Sequence, residues 1–170
     1  MKVFLNWGSR NVGATYKLNA ADLESASQAL KGRDEWGRFD GHFEYNWKGD
    51  PQGNVESITL EPTFTITLPS WSGYKTQPQT CKDTWDEMFR ALREHENGHR
   101  DIFERGITKL VNDLTALAAA TGSDVDNIAT KFRESHQADQ DSFDTATDHG
   151  ASRGVVLTVT DQCKAKPKNE

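Results

Sequence analysis

From Trp85 to Leu117 large apolar side chains recur at three- and four-residue steps: Trp85, Phe89, Leu92, Ile102, Phe103, Leu110, Leu114 and Leu117. That spacing lines them along one side of a single long α-helix. Thr84-Trp-Asp-Glu87 reads as a capping box that opens it, and Gly122 follows its expected end near Ala120. His95 and His99 continue the apolar stripe, with Gly98 beside them. Two imidazoles therefore lie one turn apart on the face that should be buried.

The remaining segments are shorter. Val3, Leu5 and Trp7 alternate with polar neighbours, as in a half-buried strand. Asn19 with Asp22 resembles an N-cap arrangement for a short helix through Leu23, Ala26 and Leu30, which Gly32 ends. Phe39, Gly41, Phe43, Tyr45 and Trp47 form one face of a strand, Asp50-Pro-Gln-Gly-Asn54 a turn, and Ile58 to Leu68 a second strand. Pro62 inside that run suggests an edge strand or a bulge. Pro69 to Thr80 reads as a loop. Ser123-Asp-Val-Asp126 looks like a cap for a second helix reaching about Asp141, and Val155 to Thr160 reads as a final strand. The expectation is one α+β domain over 1–170 with an N-terminal antiparallel sheet, a long site-bearing helix and a second, C-terminal helix. Its core spans about 16–160, and the basic run from Lys164 reads as a frayed tail.

Composition narrows the partners. The chain of 170 residues carries a formal charge of −6 and a pI near 5.4. Nucleic-acid affinity rests on clustered Lys and Arg, which this sequence lacks. No apolar stretch approaches the length of a membrane span. The start, Met1-Lys-Val-Phe-Leu-Asn-Trp-Gly8, shows no leader, which leaves a cytoplasmic setting open. Two cysteines, Cys81 and Cys163, either form one disulfide across a long loop or remain two buried thiols. Nothing in the sequence speaks to oligomeric state.

His95-Glu96-Asn97-Gly98-His99 is where chemistry is expected. Imidazoles at i and i+4 point the same way, so their nitrogens can converge on one Zn²⁺ ion. Glu96 is offset by one residue, so its carboxylate flanks the metal and can take a proton from the metal-bound water. At this chain's own His and Glu frequencies, a chance match anywhere is roughly a 1% event. The competing reading, two core histidines, would require two buried hydrogen-bond partners.

A catalytic site needs a third ligand, with water in the fourth position. Position 105, where an extended motif would place another histidine, is Arg. Glu134 on the second helix is a weak candidate against a solvated carboxylate. His149, just ahead of Gly150, is the favoured third ligand because its segment can turn back toward the first helix. Asp144 and Asp148 can orient that imidazole, or one can ligate in its place. His136 follows Phe132 by one turn and can line the cleft or simply pack. Tyr74 is a weak candidate for stabilising an oxyanion, and His42 reads as exposed.

With this motif, the Ile66-Thr-Leu-Pro-Ser-Trp71 segment and the Phe143-Asp-x-x-Thr-x-His-Gly150 segment, the chain resembles a family of bacterial, predicted secreted zinc-dependent proteases catalogued as a domain of unknown function. The likeness runs from about Tyr16 to Gly154. It implies a zincin-like metallopeptidase acting on peptide or protein substrates in an extracellular or periplasmic setting. His95 and His99 would be ligands, Glu96 the base, and His149 with Asp144 the partner segment. That family commonly has Tyr where this chain has Phe143. The alternative is a non-catalytic zinc-binding or partner-binding domain with a structural metal.

Overall fold

A computed structural model describes residues 1–164. The chain runs through β1 (Lys2–Leu5), β2 (Arg10–Leu18), α1 (Leu23–Lys31), β3 (Arg38–Gly49), β4 (Val55–Trp71), α2 (Gln79–Thr115) and α3 (Gly122–Thr147). The expected frayed tail lies outside the described residues, apart from Lys164. Among the described residues no helix is long and apolar enough to cross a membrane.

β4 organises the sheet. β3 pairs antiparallel with it across the Asp50–Asn54 turn. β1 and β2 both run parallel to it, and they follow one another along the opposite edge, against Ser57–Leu60 and Phe64–Trp71. This corrects the antiparallel expectation: alternation predicts strands but not their direction, and β3 carries the chain back from the end where β2 stops, so that β2 and β4 share a heading. Pro62 is likewise in the central strand, not at an edge. Its carbonyl accepts from Gly8 N–H at 2.9 Å. The missing N–H therefore faces the interruption between β1 and β2, where no ladder bond is lost.

Inward-facing side chains of β4 alternate without a break from Ile58 to Leu68, all buried. α2 crosses that face in the opposite direction. Its 37 residues span roughly 55 Å, which matches the 17 residues of β4 at about 3.3 Å each. Two apolar clusters result. Trp85, Met88 and Leu92 pack on Ile66, Leu68 and Trp71 with α1, while Phe103, Ile107, Leu110 and Leu114 pack on Ile58, Leu60 and Phe64 with the start of α3.

Element ends also differ from expectation. α2 begins at Gln79, behind Pro78, so Thr84 is interior and its hydroxyl donates to Thr80 O at 3.0 Å. β4 runs on through Pro69 to Trp71, shortening the expected loop. α1 is capped by Asp22 with Ser25, and α3 by Thr121 with Asp124. α3 then continues to Thr147, six residues beyond its expected end.

Val155–Thr160 forms no strand. Its period-two pattern survives as packing, since Val155, Leu157 and Val159 lie against the Trp85 cluster. Cys163 is joined to Cys81 at the start of α2, which holds this segment across the helix.

Candidate metal centre

His95, Glu96 and His99 occupy the gap between the two apolar clusters of α2. His95 is 6% exposed and Glu96 4%. The two imidazoles stand perpendicular with ring centroids 4.7 Å apart. Across from them, α3 presents His136, Gln140 and Asp144 at four-residue steps, hence on one face. Phe143 stacks on His95 at 5.1 Å and meets His99 edge-on at 4.9 Å. The motif's Gly98 permits this contact: a Cβ there would collide with the Phe143 ring.

Three ligand-type atoms converge. His95 Nε2 and His99 Nε2 lie 3.2 and 3.0 Å from Asp144 Oδ1, and 3.2 Å from each other. A tetrahedron with zinc-type bonds of 2.0–2.1 Å has edges of about 3.3 Å, so the trio has the size of one face of such a site. Among the described residues this is the group of His, Cys, Asp or Glu side chains that can hold a metal ion.

Glu96 sits beside the trio, against the start of β3. Gly37 makes room for it, since a Cβ there would lie 2.6 Å from Glu96 Oε1. Burial, then the nearby charges of Glu35 and Asp144, push the Glu96 carboxyl up to about 8, against a hydrogen bond from the Phe39 backbone. His95 is pulled down, first by burial and then by His99, with Asp144 opposing. Burial also lowers His136. These groups open on a cleft of roughly 500 Å³ between β3, α2 and α3.

Asp144, expected to support or replace His149, is the trio's third member. His149 stays at the rim, its side chain 81% exposed and its Nδ1 3.9 Å from Asp144 Oδ1. The cause is the length of α3. Asp144 is still helical and faces α2, whereas Asp148 and His149 lie past the helix end, both at φ 49°. Thr147, fully buried, supports this turn: its hydroxyl donates to Phe143 O at 2.8 Å and accepts from Gly150 N–H at 3.3 Å. Gly150, at φ 86°, passes so close to His95 that a Cβ would lie 3.1 Å from its ring. The Asp-x-x-Thr-x-His-Gly segment is thus a helix end folded against the first histidine.

Asp148 lines the cleft without joining the trio, and His136 reaches it through Gln140. Glu134 is exposed on α3 and does not line the cleft. Tyr74 is also outside it, donating to Asp86 at 2.7 Å. His42 is exposed, as expected. Sequence reasoning missed Gln140, although its spacing from His136 and Asp144 would have shown it had the helix been drawn far enough. It also missed Glu35 and Gly37, which carry no local signal.

Residues 13–150 match the DUF922 family, described as a bacterial protein of unknown function, and the chain belongs to that family. No curated protein and no solved structure matches it.

Proposed function

We propose that this DUF922 member is a zinc-dependent metallopeptidase in which His95, His99 and Asp144 hold the metal and Glu96 is the general base. The observation that carries this reading is a three-atom ligand face beside a buried carboxylate, open to a cleft. Two imidazoles and a carboxylate suit zinc, and three protein ligands are the catalytic pattern rather than the closed structural one. A zinc ion held there supplies a Lewis acid that polarises a carbonyl and acidifies water. Glu96 accepts the proton of the attacking water and returns it to the leaving amine nitrogen as the C–N bond breaks. Among the described residues β3 pairs with β4 alone, and its other edge borders the cleft, which suits an extended peptide main chain. The Cys81–Cys163 disulfide favours an oxidising compartment outside the cytoplasm.

Glu96→Gln tests the assignment, because the amide keeps the shape but accepts no proton. Zinc content by elemental analysis should stay near one per chain while peptide hydrolysis falls about 10²- to 10⁴-fold. Loss of zinc with the activity would make Glu96 a ligand, and undiminished hydrolysis would remove it from the reaction. A structural site would instead need a fourth protein ligand. His149, with its Nδ1 3.9 Å from Asp144 Oδ1, is a candidate for that role.

A further inference from the structure

An imidazole can hold a metal through Nε2 only if that nitrogen carries no proton, so the tautomer matters as much as the position. We infer that Gln140 is the positioning residue that fixes the tautomer of His99, held in turn by His136. The inference rests on reading the trio as a metal site.

The argument starts from a backbone oxygen. Gln140 is buried, and its Nε2 lies 3.1 Å from the carbonyl oxygen of His99. A carbonyl can only accept, so the amide is oriented with its NH₂ group toward it. Gln140 Oε1 must then face His99 Nδ1, at 2.5 Å. That oxygen accepts only, which places the proton on Nδ1 and leaves Nε2 with a bare lone pair. The second amide hydrogen points to His136 Nε2 at 3.2 Å, so His136 accepts there and holds the amide from behind.

His99 Nε2 therefore faces Asp144 Oδ1 at 3.0 Å without a hydrogen of its own. Two acceptors at that distance in a buried site repel unless a cation or proton lies between them. His95 has no such arrangement, because its Nδ1 is buried without a partner. Of the two histidines, His99 is the one whose ligating nitrogen the protein sets in advance.

The experiment uses ¹⁵N-histidine NMR on the metal-free protein above the histidine titration range, together with zinc affinity by chelator competition. His99 should be in the Nδ1–H form in the parent and in Gln140→Glu, which retains an acceptor for that proton. Gln140→Met, similar in length, should shift it toward Nε2–H and weaken zinc binding about 10- to 100-fold. An Nε2–H form in the parent overturns the inference, as does Gln140→Met binding zinc as tightly as the parent. A parent that binds no zinc would sink the metallopeptidase reading instead, and the metal-free spectra would still decide the tautomer. Should Gln140→Met misfold, the parent and Gln140→Glu spectra decide it alone.

Discussion

Along one face of α2 the apolar ends and the polar middle are buried alike, but they are held by different forces. Trp85 and Phe103 are 4% and 1% exposed; His95 and Glu96, between them, are 6% and 4%. At the ends each large side chain contributes about 1.5–3 kcal/mol by leaving water, with no partner required. In the middle, burial works against the charged forms: it pulls His95 down, pushes Glu96 up, and leaves His95 Nδ1 without a hydrogen bond. The ends stabilise the helix; the middle draws on that stability to keep ligands and base in place.

The largest effect should come from the ends. Replacing both Cys81 and Cys163 by serine opens a bridge of sequence separation 82, worth about 4–5 kcal/mol in the chain-entropy model. Phe103→Ala should cost about 3–5 kcal/mol. Urea unfolding measures both. If the ends serve stability alone, the folded double-serine variant keeps its zinc affinity within a few-fold. A steep fall in affinity would mean that the bridged segment shapes the site directly.

Next comes the ranking within the middle. Asp144→Ala should weaken zinc binding by about 100-fold or more, as loss of a ligand, and His149→Ala by less than about tenfold, as loss of a rim residue. Competition with a chelator ranks them, and the reverse order would return His149 to the ligand set.

Gly98→Ala should be smaller, because two terms compete. Alanine gains about 1 kcal/mol in helix propensity. Its Cβ, however, displaces the Phe143 ring that packs on both imidazoles, at about 1–3 kcal/mol. A net loss on thermal unfolding, with weaker zinc binding, is expected. A more stable variant would show that the close approach of α3 is dispensable.

The smallest expected effect has the opposite sign. Glu96 rises from its usual 4.5 to about 8 in the folded protein. Between those pH values the unfolded chain has released a proton that the folded chain keeps, so the metal-free parent loses stability as pH rises through that window. Glu96→Gln removes this slope and should gain on the order of 1 kcal/mol near neutral pH, after the amide's own desolvation cost. Denaturant midpoints at pH values on both sides of the window test it. A metal-free variant less stable than the parent would contradict the account of the middle as a costly region.

The sequence alone determined whatever depends on periodicity. The α2 stripe, the alternation of β3 and β4 and the place of His95 and His99 on a buried face follow from spacings of three, four and two residues. The α+β class and the two-helix layout followed too. Strand direction did not, because alternation is the same whether β1 runs with or against β4, and β2 (Arg10–Leu18) is not among the expected strands. Val155–Thr160 makes the same point: its alternation packs on α2 rather than pairing with a strand. The third member of the trio turned on where α3 ends. Asp144 and His149 lie five residues apart, and a local reading that stops the helix near Asp141 cannot separate them. The αL turn after Thr147 does, by leaving one carboxylate on the helical face and sending the imidazole to the rim. Glu35 and Gly37, just ahead of β3, and Gln140, on α3, reach the site through packing over long sequence distances. Only the tertiary structure decides such contacts.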